Sequence, residues 1–326
     1  MSLGVNYSQS FLSKNAEYNK KQNNSKPSKG RYIGGFFAGS TVTILPLAMQ
    51  QFIALTALKK IKKIGKNLTP KELEQVNNAA NTMLKNTGLQ SEYGVEILKV
   101  TKPDLVELIN DHKSRIKTGK STLNTLDNTK KVTDILAKIY EKNIIGKLLP
   151  EKYKQKICKE CAMEIANGNN ACYIFPIKKI LISDKLAPAS FHELGHAMNA
   201  NMSKIGKILQ KSRNLSFFAI PIALIALTKN KKQNGEKPRG AWDKFTTFVK
   251  NNAGKLTFAA FLPVVIEEGM ASIKGQKFAK QLLTPELYKK VVKTNIFGFS
   301  SYLALTILSV GIYLGTKIRD KIVHKN

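Results

Sequence analysis

The stretch of residues 191–197 reads FHELGHA and contains two of the four histidines in a chain of 326 residues. His192 and His196 are four positions apart, so on an α-helix both imidazole rings leave from the same face. In that geometry each neutral ring can offer one nitrogen to a single zinc ion at about 2.0–2.1 Å. Glu193 is next to the first histidine and can act as general base toward a zinc-activated water without binding the metal itself. The motif therefore predicts a helix that carries a catalytic zinc site.

A helix with two surface histidines is the alternative interpretation of this motif. Because the chain is so poor in histidine, an accidental HExxH is expected in on the order of one in several hundred such chains. Gly195 is a further indication, since glycine inside a helix costs about 1 kcal/mol relative to alanine. We therefore expect this glycine where the helix packs closely against another segment beneath the metal.

A catalytic zinc site needs a third protein ligand and an open position for water. The remaining histidines, His112 and His324, are remote from the motif and have polar neighbours. Glu267 and Glu268 follow the apolar run of residues 256–266, where an unpaired charge would be expensive. The pair supplies the expected third ligand, and the residues alone leave open which of the two it is. The alternative interpretation is that the two glutamates only solvate the end of a helix.

Two short runs rich in β-forming residues precede the motif. Residues 171–175 read ACYIF, and residues 178–183 read KKILIS after Pro176. These runs predict a pair of strands beside the motif helix.

Four apolar runs predict a protein of the membrane. Residues 32–58 carry no charge, are flanked by lysines and are long enough to cross a hydrocarbon core of about 30 Å, although a buried core helix is the alternative. Residues 296–316 predict a second transmembrane helix. Residues 215–228 and 256–266 are shorter and predict membrane-embedded segments. We expect about three to four transmembrane or membrane-embedded helices.

The rest of the chain divides by composition. Residues 1–31 are rich in lysine, asparagine and serine and predict a disordered basic tail. Residues 67–165 predict a helical soluble region, with Thr69 as a helix N-cap and Pro70 in the first turn. Residues 166–275, including the two shorter apolar runs, form the predicted zinc metallopeptidase core.

The chain is strongly basic, with 53 Lys and Arg against 22 Asp and Glu and a formal net charge of +31. Lysine is spread along the whole chain and arginine is scarce, which argues against specific nucleic-acid binding. An anionic lipid surface is the expected partner of such charge. Three cysteines cannot form a disulfide framework, and the N-terminal residues lack the apolar region of an export signal. These features favour the cytoplasmic membrane, with the active site facing the cytosol.

The motif FHELGHA, followed 72 residues after His196 by the sequence EGMA at 268–271, resembles the membrane gluzincin zinc metallopeptidases of the HtpX group. The resemblance covers roughly residues 165–275 and includes NACYIFPIKKILIS, which is similar to the strand pair of that family. It implies a zincin-like core with one zinc ion per chain. By this resemblance the metal ligands are His192, His196 and Glu268.

The same resemblance implies Glu193 as the base and an edge strand, carrying Ala171, Cys172 and Tyr173, that aligns the substrate backbone by β-addition. The chain departs from the family at Ser272, where the family has an aspartate that supports the metal ligands. Glu267 is the candidate replacement for that carboxylate and the alternative ligand.

We therefore expect a mainly α membrane protein with a small β-sheet, acting as a membrane-bound zinc-dependent endopeptidase. Its substrates would be protein or peptide chains in or near the membrane. The alternative is a catalytically silent membrane scaffold that retains the zinc-peptidase fold, although a scaffold has no need of Glu193. Intramembrane proteases of the site-2 type also carry HExxH, but their motif lies in a fully apolar span and precedes an Asp-Gly motif that is absent here.

Overall fold

A computed structural model describes residues 27–100, 163–232 and 236–324. Within these residues the protein is mostly helical and contains one three-stranded sheet, which confirms the predicted combination of many helices with a small sheet. Residues 1–26 of the predicted tail and residues 101–162 of the predicted soluble region lie outside the described residues.

The chain forms two compact units. The described parts of the first unit lie within residues 27–49, 217–260 and 306–324, and those of the second lie within residues 50–216 and 261–305. The histidine motif, the glutamate pair and the sheet all belong to the second unit.

The helices and strands of the described residues are named here in chain order. The helices are α1 (Lys29–Lys66), α2 (Pro70–Asn86), α3 (Ser190–Met202), α4 (Lys204–Ser212), α5 (Ala219–Thr228), α6 (Gly240–Asn251), α7 (Ala253–Leu282), α8 (Pro285–Leu303) and α9 (Leu305–Val323). The strands are β1 (Glu96–Lys99), β2 (Cys172–Ile174) and β3 (Lys179–Ile182).

Three helical stretches of the described chain are long and apolar enough to cross a membrane, as expected of a membrane protein. They are α1, α7 and the continuous stretch of α8 and α9, and they contain the predicted runs 32–58, 256–266 and 296–316. The fourth run, residues 215–228, forms most of a 3₁₀ turn and then the ten-residue helix α5. It is too short to cross a membrane by itself. The first span begins at Lys29, inside the segment predicted as tail.

The sheet has the strand order β1-β3-β2. Strands β2 and β3 pair antiparallel, with Tyr173 opposite Ile180, so the predicted strand pair is present. Strand β1 pairs parallel to β3 from the other side and was not predicted from the sequence. Among the strands that the structure describes, β2 therefore lies at an edge of the sheet.

Helix α2 supports the motif helix from one side. It begins with a reciprocal capping box, in which the Thr69 hydroxyl accepts from the Glu72 amide and the Glu72 carboxylate accepts from the Thr69 amide. This confirms the predicted N-cap. The apolar face of α2 shares one buried cluster with the apolar face of α3, and the cluster includes Val76, Met83, Phe191, Leu194 and Ala197. This cluster holds α3 by its apolar face.

Helices α3 and α7 approach each other closely at two glycines. A Cβ atom built on Gly195 would lie 2.1 Å from the carbonyl oxygen of Ala271, and one built on Gly275 would lie 2.2 Å from that of Phe191. Backbone therefore packs directly on backbone at both positions, which confirms the close packing expected at Gly195. The approach brings the histidine face of α3 against the glutamates of α7.

We predict that Gly195→Ala destabilises the protein, because the added methyl group would overlap a main-chain carbonyl that cannot move aside. Overpacking of this kind costs about 1–3 kcal/mol or more, and thermal unfolding of the detergent-purified protein would measure the change.

Gly298→Ala is the matched control, since Gly298 also lies inside a helix but has no atom within 4 Å of an added Cβ. This substitution should leave the protein as stable as wild type or stabilise it by up to about 1 kcal/mol. Equal unfolding temperatures for the two variants would contradict the packing assignment.

Candidate metal centre

The two histidines of the motif converge through the same ring nitrogen. Both lie on α3, one helical turn apart, and their Nε2 atoms are 3.0 Å from each other. The Nδ1 atom of His196 is bonded to Glu267, and the Nδ1 atom of His192 lies 3.1 Å from the Ser272 hydroxyl. With a proton on each Nδ1, both Nε2 lone pairs are available to one metal ion.

Glu268 completes a triangle of donor atoms with these nitrogens. Its Oε2 atom lies 3.0 Å from Nε2 of His192 and 3.4 Å from Nε2 of His196. Two ligands of one tetrahedral zinc ion, each bound at about 2.0–2.1 Å, lie about 3.3 Å apart. The donor set and its spacing therefore fit a zinc ion.

Glu267 faces away from the Nε2 atoms and serves the histidine behind them. Its Oε1 atom lies 2.8 Å from Nδ1 of His196 and also accepts hydrogen bonds from the side-chain amides of Asn199 and Gln210, at 3.0 and 2.9 Å. Carboxylates in this position fix the tautomer and orientation of a ligating histidine. The geometry favours Glu268 as the ligand and Glu267 as the carboxylate that supports His196.

Ser272 lies where the membrane gluzincins, which the motif resembles, have an aspartate that supports the metal ligands. Its hydroxyl is 3.1 Å from Nδ1 of His192, so it can accept a hydrogen bond from that nitrogen as a carboxylate would. The two histidines are thus oriented by different groups, one by a hydroxyl and the other by a carboxylate.

Arg213 bridges the two glutamates. Its two terminal nitrogens donate separately, at 2.5 Å to Oε2 of Glu267 and at 2.7 Å to Oε1 of Glu268. A planar guanidinium can hold two carboxylates in a fixed relation in a way that a lysine cannot. Both glutamate side chains are 0% exposed, so this contact also offsets part of the cost of burying them.

The electrostatic field of the pair acts on the neighbouring groups. Burial alone lowers the pKa of the His196 imidazole, but the carboxylates of Glu268 and Glu267 outweigh it and hold that pKa well above its ordinary value. Burial also lowers the pKa of Arg213, and the same carboxylates again reverse the effect and raise it. The centre therefore attracts positive charge strongly.

The buried carboxylates of the centre outnumber the permanent cations that the described residues place beside them. Glu193, Glu267 and Glu268 are all buried, and among the described residues Arg213 is the one permanent cation within ion-pairing distance of them. Buried charges are normally neutralised by a partner or a metal ion. A metal cation would be such a partner, and the buried histidine and glutamate side chains form groups that could hold one.

Glu193 lies between the histidines and the sheet. Its Oε2 atom accepts a hydrogen bond of 2.7 Å from the backbone amide of Tyr173 in β2. Its carboxylate also lies within 4.8 Å of a ring nitrogen of each motif histidine. Glu193 is 6% exposed, and its carboxylate cannot rotate away without losing this bond. It is therefore held beside the donor triangle without being part of it.

The three residues predicted to align a substrate lie at or beside one strand of the sheet. Cys172 and Tyr173 belong to β2, at the sheet edge, and Ala171 comes directly before it. The phenol oxygen of Tyr173 accepts from the Asn201 side chain at 2.9 Å, which ties β2 to α3. The edge of the sheet is thus linked by two hydrogen bonds to α3, the helix that carries the motif.

A cavity of about 260 Å³ opens beside the centre. Its volume is near the lower end of the range for small-ligand sites. Its polar lining combines the motif with side chains from other parts of the second unit, and it includes Asn169, His192, Glu193, Thr294, Asn295 and Tyr302.

Arg213 and Tyr302 were not identified from the sequence as site residues. The guanidinium carbon of Arg213 lies 5.9 Å from the centre of the Tyr302 ring, so the two belong to one cluster. A signal for Arg213 was available, because arginine is rare in this lysine-rich chain and arginine is the residue suited to a two-pronged contact. Tyr302 lies inside an apolar run and carries no such signal.

Comparison of the chain with protein-family models, with curated protein sequences and with solved structures found no match.

We predict that Glu268→Ala abolishes zinc binding, whereas Glu267→Ala weakens it about 10–100-fold, the usual loss when a supporting partner of a ligand is removed. Elemental analysis of the purified proteins, followed by zinc titration against a competing chelator, would measure both effects.

Glu74→Ala removes an exposed glutamate of α2 and is the control, with wild-type zinc content expected. Full zinc binding by Glu268→Ala together with its loss in Glu267→Ala would reverse the roles given to the two glutamates.

Proposed function

We propose that this protein is a membrane-bound zinc-dependent endopeptidase, with one zinc ion held by His192, His196 and Glu268. The observation that carries the proposal is the triangle of three ligand atoms, 3.0–3.4 Å apart, with a fourth carboxylate held beside it. The resemblance of FHELGHA and the downstream glutamate to membrane gluzincins points to the same function.

The chemistry of the site follows from the residues around the triangle. A zinc ion in this position would polarise the scissile carbonyl and lower the pKa of a water molecule to about 7. Glu193 is placed to take the proton of the attacking water and to deliver it to the leaving amine. Its bond from the Tyr173 amide keeps one carboxylate oxygen oriented, and the other remains for the proton.

Tyr302 is our candidate for stabilising the oxyanion that forms at the scissile carbonyl. It lines the cavity shared by His192 and Glu193, and its hydroxyl interacts with the charge of Arg213. A phenol donor directed at a developing oxyanion typically contributes about 10²–10³-fold to kcat.

The edge strand β2 supports a peptide as the substrate. An extended chain can add to an exposed sheet edge through main-chain hydrogen bonds, and Ala171 at the start of this edge also lines the cavity. The three candidate spans favour substrates in or near the membrane. We place the protein in the cytoplasmic membrane with this site facing the cytosol, because its three cysteines cannot form a disulfide framework and suit a reducing compartment.

We predict that Glu193→Gln lowers peptide hydrolysis at least a hundredfold while the zinc content stays at the wild-type level, since the amide cannot accept a proton. Cleavage of a quenched-fluorescent peptide library by protein reconstituted in lipid vesicles would measure the rate, with chelator addition and zinc restoration as a metal control.

Glu74→Gln makes the same chemical change on an exposed helix face and should cleave at the wild-type rate. If zinc-loaded wild-type protein hydrolyses no peptide, or if Glu193→Gln hydrolyses as fast as wild type, the peptidase assignment fails. A binding scaffold that retains the fold would then be the better explanation.

We also predict that Tyr302→Phe lowers kcat about a hundredfold, with KM and zinc content little changed, because the hydroxyl would act only on the transition state. A raised KM at an unchanged kcat would instead indicate that Tyr302 binds the substrate in its ground state.

A further inference from the structure

The first unit contains a cavity of about 360 Å³ with an unusually basic wall. The volume is within the range of small-ligand sites. Among the residues that line it, Asp320 is the only carboxylate, and the basic side chains are Lys231, Lys250, Lys317, Lys321 and His324.

That single carboxylate is already shared by two buried cations. The Oδ1 atom of Asp320 lies 2.8 Å from Nζ of Lys250 and 2.8 Å from a terminal nitrogen of Arg319. Both basic side chains are only 2% exposed. Burial lowers the pKa of the Lys250 ammonium to about 8 even though Asp320 opposes the effect. The cavity wall is therefore short of negative charge.

Several other basic groups in the wall have no anionic partner within the described chain. Lys231, Lys317 and Lys321 form no ion pair there, although Lys317 lies over the ring of Tyr313 at 5.6 Å. The Nε2 atom of His324 is buried and has no hydrogen-bond partner. A buried ring nitrogen without a partner, beside several lysine ammonium groups, points to a missing hydrogen-bonding partner in the cavity.

The cavity lies at the ends of two candidate spans, where a hydrogen-bond acceptor at the membrane surface would be. Its wall includes Ala253 and Gly254, the first residues of one candidate span, and side chains from residues 313–321 in the closing turns of another. The ends of membrane-spanning helices lie at the level of the lipid headgroups. Basic pockets between helix ends at this level are known binding places for anionic headgroups.

We propose that this cavity is a binding site for a phosphate group, supplied by an anionic phospholipid headgroup or by free phosphate. Phosphate offers more acceptor oxygens than a carboxylate and suits several lysine ammonium groups and an imidazole N–H that converge from different sides. The bound anion compensates the charge that Asp320 leaves unbalanced. The site involves none of the residues of the metal centre and stands apart from the proposed peptidase function.

The test compares three ligands titrated separately into the full-length protein in a neutral detergent. The ligands are dioctanoyl phosphatidylglycerol, dioctanoyl phosphatidylcholine and inorganic phosphate, and isothermal titration calorimetry measures each dissociation constant. The test variant is Lys317→Gln with Lys321→Gln. Both lysines are exposed and lie four positions apart on α9, so the variant should fold normally.

The control variant is Lys289→Gln with Lys293→Gln, which removes the same charge from two exposed lysines four positions apart on α8. We expect the anionic lipid to bind, the test variant to bind it at least tenfold more weakly, and the control variant to bind it as wild type does.

Weaker binding of inorganic phosphate than of the anionic lipid identifies the headgroup as the source, and equal or tighter binding identifies free phosphate. The proposal is overturned if neither anion binds, if phosphatidylcholine binds as tightly as both anions, or if the two variants lose binding equally. Equal losses would mean that only the overall charge of the protein matters.

Discussion

The burial of two neighbouring carboxylates is the constraint on which the second unit of the structure depends. Glu267 and Glu268 are fully excluded from solvent, and a buried carboxylate is stable only when its charge and lone pairs are matched. The polar side chains that contact the pair supply matching charges and hydrogen bonds. Arg213 joins the two side chains, and His196 contacts both of them. The close approach of α3 and α7 at Gly195 makes these contacts reachable, so packing and electrostatics impose the same arrangement.

The parts of the fold that could be predicted are those encoded over short stretches of sequence. The four-residue spacing of His192 and His196 determines that both rings share a face of α3, whatever the helix packs against. The long uncharged runs predict helices by their length, and the two short β-rich runs predict paired strands. The cap at Thr69 is equally local, because all of its partners lie within three residues.

The parts that could not be predicted depend on contacts between distant residues. Strand β1 has four half-buried residues, too few for a periodic signal, and it pairs with β3 about 80 positions later in the chain. Arg213 gains its role only because α7 brings the glutamates to it, 54 and 55 positions further on. The separate orientations of Glu267 and Glu268 depend on these partners. Two identical adjacent residues carry no sequence difference that could assign them different tasks.

The bond from β2 to Glu193 has a consequence for how such a site can change over time. The donor is the main-chain amide of residue 173, so every amino acid except proline supplies it equally well. The side chain at this position has a separate task, because its ring packs against the buried cluster of α2 and α3 and its phenol oxygen accepts from Asn201. Substitutions at position 173 other than proline can therefore change how β2 packs on α3 while the alignment of the base is inherited unaltered.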